Sequence, residues 1–213
     1  MKKVSIITCI AALALIGASS AFASINQTPA TMPSGFNIGI STGYTSNINN
    51  SFGYNLIAYS NKTNNFNVGG HIGYQFAIGN KFSIGPELGY SYLGGNKATL
   101  LGSSASTDYT ATTAMIVGHF YPKSKLDLFA GAGAGYVHVN FSGNLGSINI
   151  PNSSQSKTVP VVEFGAGYNV NENFTVFAKD QIFISNNVDF AAANYVPTIN
   201  VVAVGVSYSF GAL

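Results

Sequence analysis

The chain has 213 residues, only 8% of them charged: nine lysines, no arginine and seven carboxylates, for a formal net charge of +2. Ordinary soluble domains carry about 25% charged residues, and a near-neutral chain offers no electrostatic grip on nucleic acid. There is one cysteine, Cys9, against 24 glycines and 12 tyrosines, so a disulfide framework is excluded.

Lys2 and Lys3 precede an apolar run from Val4 to Gly17 and a small-residue site, Ala21-Phe22-Ala23. That order predicts a cleaved secretory signal peptide over residues 1–23 and export through the secretory pathway. The run is too short for a spanning helix, and Cys9 stands too early for a lipoprotein cleavage point. Residues 24–34, SINQTPATMPS, are polar with two prolines and read as a flexible lead-in. Residues 35–213 read as one β domain.

Its first strand spans about Phe36 to Tyr44, with Phe36, Ile38, Ile40, Thr42 and Tyr44 on one face. Asn37, Gly39, Ser41 and Gly43 share the other, because alternate side chains of a strand point oppositely. A polar loop follows over residues 46–65, in which Leu56, Ile57 and Tyr59 suggest a short strand extension. The second strand, Phe66 to Ile78, sets Val68, Ile72, Tyr74 and Phe76 against Asn67, Gly69, His71, Gly73 and Gln75. Gly79-Asn80 is a tight turn. The third strand, Lys81 to Leu93, sets Phe82, Ile84, Leu88, Tyr90 and Tyr92 against Ser83, Gly85, Glu87, Gly89 and Ser91.

Residues 94–106 read as a second loop. The fourth strand, about Thr107 to Tyr121, alternates weakly and its register is not fixed by pattern. Pro122 to Lys125 is a short turn. The fifth strand spans about Leu126 to Phe141, with Gly131, Gly133 and Gly135 on the bare face. Residues 142–157 form a third loop. The sixth strand, Thr158 to Val170, sets Val162, Phe164, Ala166 and Tyr168 against Glu163, Gly165, Gly167 and Asn169. The seventh, Phe174 to about Ile184, is disturbed at Lys179-Asp180-Gln181. Residues 185–197 are the fourth loop. The last strand, Thr198 to Phe210, sets Val202, Val204, Val206, Tyr208 and Phe210 against Ala203, Gly205, Ser207 and Ser209.

Long connections thus follow the odd strands and short ones the even strands. This predicts an all-β fold: an eight-stranded antiparallel transmembrane β-barrel in up-and-down order, with short periplasmic turns and long extracellular loops. Eleven residues at about 3.3 Å each, tilted about 40°, rise roughly 28 Å, enough for an apolar band of about 25 Å. A soluble barrel keeps its apolar residues inside, but eight strands leave too little room there for all these Val, Ile, Phe and Tyr side chains. The bulky face therefore meets lipid and the bare face lines the lumen. Tyr44, Tyr90, Tyr92 and Tyr136 fall near the outer rim, and Tyr74, Tyr168 and Tyr208 near the periplasmic rim, as two aromatic girdles.

The signal peptide, the Gly-Tyr strand ends (Gly43-Tyr44, Gly73-Tyr74, Gly89-Tyr90, Gly135-Tyr136, Gly167-Tyr168) and the aromatic last strand carry a family resemblance. The chain resembles the small eight-stranded outer-membrane barrels of Gram-negative bacteria, of the OmpA transmembrane-domain, OmpX and opacity-protein type. The resemblance implies the outer membrane, a surface-exposed monomer, contact with membrane lipid and lipopolysaccharide, and assembly by the barrel-assembly machinery. Tyr208 and Phe210 match the terminal aromatic signal that the machinery reads, although Gly211-Ala212-Leu213 follow it.

The residues point to no cofactor and no metal, because no metal-ligand spacing occurs. No His, Ser and Asp form a triad that the pattern can assemble. Some barrels of this size are lipid A deacylases with His-x-Ser-Asn on a late strand. The nearest match here, Phe183-Ile184-Ser185-Asn186, has Phe in place of His and leaves Ser185 without a base. A non-enzymatic role follows: envelope integrity, or adhesion to a host surface through the loops. The alternative is a narrow porin-like channel past a polar interior cluster of His71, Glu87, Glu163 and Lys179.

Overall fold

A computed structural model of the chain describes residues 34–46, 60–100, 103–123, 125–145, 148–185 and 198–211. Nine strands follow in chain order: β1 (Gly35–Ser46), β2 (Ser60–Asn64), β3 (Phe66–Ile78), β4 (Phe82–Leu100), β5 (Ser103–Lys123), β6 (Leu126–Leu145), β7 (Ile148–Asn169), β8 (Phe174–Phe183) and β9 (Ile199–Ser209). The expected signal peptide and nearly all of the lead-in lie outside the described residues.

The wall is a closed ring of eight antiparallel strands, β1-β3-β4-β5-β6-β7-β8-β9, with β9 returning to β1. β2 continues the line of β3 past Asn65 and pairs with the outer end of β4. Closure leaves no backbone edge within the ring, which hydrocarbon requires because it offers no hydrogen bonds. The short connections are built for tightness. Gly79 takes φ +67 in the β3–β4 turn, a backbone region that glycine enters without steric cost. In the β7–β8 turn, Asn171 Oδ1 accepts from the amides of Asn173 and Phe174 at 2.9 and 2.7 Å, an Asx turn.

Two expected loops turn out to be wall. Residues 94–100 of β4 pair with residues 103–109 of β5, after a bulge between Tyr92 and Gly94. Residues 142–145 belong to β6 and residues 148–157 to β7. Their Ser and Asn content resembles turn chemistry, but an antiparallel sheet with water available can carry polar side chains freely. β5 and β7 are 21 and 22 residues long, against 12 for β1 and 10 for β8. At about 3.3 Å per residue and a tilt near 40°, β5 rises roughly 50 Å, about twice the apolar band. Among the described residues the wall is therefore tall on β4–β7 and on the joined line of β2 and β3, and short on β1, β8 and β9. The strand extension expected at Leu56–Tyr59 lies outside the described residues; the one that forms is Ser60–Asn64.

Alternation holds around the ring. Ile40, Leu88 and Tyr90 are 65%, 54% and 59% exposed on the outer surface, where lipid belongs. Inward residues form two strata. Toward the periplasm they are polar: Asn37, Gln75, Ser83, Asp127, Asn169 and Thr175 are buried there. Toward the outside they are mainly apolar: Leu93, Tyr109, Val137, Val161, Phe183 and Ile199 are each at most 1% exposed and pack as one cluster, with Thr45, Asn67 and Thr107 buried at the same end. The lumen, expected to be polar, is thus mixed, and apolar side chains predominate in its outer half because Val159, Val161, Val201 and Ile199 keep the inward parity at the outer ends of their strands.

Inward glycines do not leave the lumen empty. Gly39 faces the His71 ring, Gly165 the Phe129 ring and Gly205 the Phe177 ring, each pair directly opposed across two strands. A Cβ at any of the three would collide with that ring. Gly135 likewise makes room for Phe183 and Val161. A missing side chain on one strand is filled by a large one from another, the aromatic rescue of a strand glycine. Gly135→Val is expected to destabilise the barrel by about 1–3 kcal/mol through overpacking, read as a lower urea midpoint of refolded protein. Adding Phe183→Ala should return part of that midpoint; an unchanged single variant would mean that the ring does not occupy this space.

Candidate functional site

The polar half of the lumen is positioned by strand parity alone. His71 on β3, Glu87 on β4, Glu163 on β7 and Lys179 on β8 all point inward and line one cavity of about 40 Å³. A water needs roughly 10–15 Å³ of such space, so the cavity has room for a few waters and no sizeable ligand. His119, Asp127, Phe129 and Phe177 complete most of its lining.

Three carboxylates each face one base. Lys179 Nζ donates to Glu163 Oε2 at 3.1 Å, and Gln181 Nε2 donates to the same oxygen at 3.2 Å. His119 Nδ1 lies 2.9 Å from Asp127 Oδ2. His71 Nε2 stands 4.0 Å from Glu87 Oε2, an electrostatic neighbour beyond hydrogen-bonding range. Lys179 and Glu163 meet diagonally, since Gln181 is the residue directly opposite Glu163. The disturbance expected at Lys179-Asp180-Gln181 is thus no break in alternation. Lys179 and Gln181 point inward, and Asp180 points outward, where Asn200 Nδ2 donates to it at 2.6 Å.

Sequence reading missed His119, Asp127 and Gln181. The first sits on β5, where the outward residues Thr110, Thr112, Ala114 and Gly118 lack the bulk that marks parity elsewhere and Ile116 alone among its neighbours supplies it. Asp127 follows the β5–β6 turn so closely that it reads as turn. The one signal available was its place one residue after Leu126, with Leu128 beyond, which sets Asp127 on the inner face. Tyr208 and Phe210 lie outside at the periplasmic rim, 42% and 49% exposed, with ring centroids 4.9 Å apart. The Phe210 amide donates to Phe36 O at 2.7 Å, sealing the β9–β1 seam.

Among the described residues, no group of three or more His, Cys, Asp or Glu could hold a metal ion. Ser185 Oγ has no hydrogen-bond partner, and Phe183 beside it is packed into the apolar stratum. One Ser-His-Asn arrangement does exist, because cross-strand register joins residues distant in sequence. His138 Nδ1 lies 2.7 Å from Ser156 Oγ and Nε2 lies 3.0 Å from Asn140 Oδ1. It stands on a flat outer sheet surface where the neighbouring backbone amides are committed to the ladder, leaving no pair of free amides to receive an oxyanion. The interior ion pair has its own energetic signature. Glu163→Ala, which strands Lys179, is expected to lower unfolding free energy by about 3–5 kcal/mol, measured by urea titration. Glu163→Leu with Lys179→Met should lose less than the single change.

Comparison with known proteins accords with this geometry. Ail, the attachment invasion locus protein of Yersinia pestis, superposes with a TM-score of 0.54 at 19% identity, covering 83% of this chain and 97% of Ail. The same protein in complex with the heparin analogue sucrose octasulfate gives 0.51 at 20% identity, covering 83% and 97%. OprG of Pseudomonas aeruginosa gives 0.49 at 13% identity, covering 87% of this chain and all of that one. At these identities the likeness is one of fold. No curated protein sequence matches. The family model for the OmpA-like transmembrane domain matches residues 29–213, and with a closed eight-stranded ring presenting its apolar face outward, the chain belongs to that family of outer-membrane β-barrels of Gram-negative bacteria.

Proposed function

We propose that the protein is a non-catalytic structural barrel whose work is done on the cell surface, in envelope integrity or adhesion. The observation that carries this is the apolar stratum of the lumen: Tyr109, Val137, Val161, Phe183 and Ile199 fill the outer half with side chains almost wholly withdrawn from solvent. A close-packed layer of side chains leaves little room for a solute to pass, which supports this reading. The tall β4–β7 wall meanwhile extends well beyond the apolar band. Ail, which shares the fold, is named for attachment and invasion, and the adhesion half of the reading leans on that comparison. In this reading the chain is exported by a cleaved leader, assembled through Tyr208 and Phe210 by the barrel machinery, and monomeric in contact with lipid and lipopolysaccharide.

A narrow channel is the second reading, favoured by the cavity beside Glu163 and Lys179. Planar-bilayer recording separates the two. The structural reading expects no steady conductance from refolded protein; steady conductance abolished by Glu163→Gln with Lys179→Met would establish the channel. For adhesion, cells displaying the protein should bind host cells or matrix, and replacing residues 47–59 or 186–197 by a short linker should remove that binding. Removing residues 142–157, by contrast, would dismantle β6 and β7. Lipid A mass spectra should be identical with and without expression; a lost acyl chain would overturn the non-catalytic reading.

A further inference from the structure

A proline stands inside the wall where the ladder needs an amide. Pro86 lies in β4 between β3 and β5, whereas proline is ordinarily confined to edge strands, strand starts or bulges. The Tyr121 amide donates to Lys81 O, one residue before β4, at 2.9 Å. That bond fixes the pattern along β4: odd residues exchange hydrogen bonds with β5, and even residues with β3. Pro86 therefore faces Tyr74 on β3 with no N–H to give. The register records the result. Cα pairing of β3 with β4 runs to Gly73 opposite Glu87, lapses over Tyr74, Gln75, Gly85 and Pro86, and resumes at Phe76 opposite Ile84 without a shift. On their other flanks the same residues stay paired, Tyr74 with Phe36, Gln75 with Gly35, Gly85 with Val117 and Pro86 with Ile116. One rung is missing from an otherwise continuous sheet.

The carbonyl left without a donor turns inward. Gly85 has lumenal parity, and a Cβ built on it would collide with Tyr74 O. Two more unpaired polar atoms share that space. Asn37 Oδ1 and Gln75 Nε2 are buried without a hydrogen-bond partner among the described residues, on residues only 8% and 5% exposed. Asn37 lies directly across from Gly73, where a Cβ would meet Asn37 Oδ1 and Pro86 O, each at 3.0 Å. Gln75 is the next inward residue of β3, and its Oε1 accepts from Ser83 Oγ at 3.4 Å. Gly73 and Gly85 put no side chain over the gap. Beside it stands Glu87, which lines the lumenal cavity.

We propose that this patch is a water-binding site built into the wall. Water held by Tyr74 O, Asn37 Oδ1 and Gln75 Nε2 stands in for the missing rung, and the β3–β4 seam opens here more readily than the unbroken seams. The donor and acceptor set selects water as the occupant. Two carbonyl oxygens repel an anion, and the Gln75 N–H group repels a cation. A buried water both donates and accepts, and makes about three hydrogen bonds. At membrane depth a carbonyl freed by proline is costly unless something re-satisfies it, and ordered water is one such partner.

Hydrogen exchange of the refolded full chain in detergent micelles, read amide by amide, tests this. The Tyr74 and Leu88 amides flank the missing rung. They should exchange about tenfold faster than the Phe129 and Gly165 amides of the unbroken β6–β7 seam, the factor expected for one lost hydrogen bond. The side-chain amide of Gln75 should show a magnetisation-transfer cross-peak to bound water. Pro86→Val returns a donor to Tyr74 O, so exchange at Tyr74 and Leu88 should slow to the β6–β7 level. Equal rates on the two seams of the parent would overturn the proposal. So would a missing Gln75–water cross-peak, or a folded Pro86→Val variant that keeps the fast exchange. Should that variant fail to fold, the parent's rates and cross-peak decide.

Discussion

A ring of backbone hydrogen bonds closed on itself is the constraint from which the rest of this structure follows. In hydrocarbon an unpaired amide has no solvent partner, so the sheet must end where it began, at the β9–β1 seam between Ser46–Asn200 and Asn37–Ser209. Eight strands make a narrow ring, and each strand then has one side chain in two directed into very little space. Small inward residues are the consequence of that geometry. Gly39, Gly165 and Gly205 are small because His71, Phe129 and Phe177 lie across them.

How the lumen is filled decides what the barrel can do. Its inner half carries three acid–base couples around a cavity of a few waters. Isolated charges in such surroundings would be heavily penalised, and pairing limits the cost without making the pair a strong stabiliser. Its outer half is filled mainly by one apolar cluster. Polar and apolar strata in series make a plug whose two layers fail by different routes, the lower by losing a partner and the upper by losing volume. On the reading proposed above, this leaves the outside of the wall to carry the function.

Much of this was legible from residue order. Where outward residues are bulky, as in Phe66–Ile78 or Thr158–Val170, alternation fixes parity, and His71, Glu87 and Glu163 follow as inward residues; on the strand from Phe174 the inward Phe177 and Phe183 blur the pattern, and Lys179 was placed inward without a fixed register. Along β5 the outward residues mix Thr110, Thr112, Ala114 and Gly118 with Ile116, so parity there is weak, and His119 went unplaced with it. Ser and Asn were misread as loop at 94–106 and 142–157 for a related reason. Above the membrane neither face of a strand must be apolar, and the period-two signal fades while the ladder continues. The Ser156–His138–Asn140 contact depends on a register that no local pattern encodes.

The unequal height of the wall has a mechanical consequence. A cylinder with uniform rims can spin about its axis in the bilayer without changing its surroundings. Among its described residues this one stands tallest over β4–β7, and the bulky aromatic and aliphatic groups on β1, β3 and β4 contrast with a sparser flank at Ala114, Ala132 and Ala134, where Ile116 is the one large neighbour of that row. Each rotation therefore presents neighbouring molecules with a different thickness and texture, and mismatch of a few ångströms is met by tilting or by local thinning of the bilayer. The barrel thus has a front and a back within the plane of the membrane, and crowded neighbours will pack against it with a preferred heading.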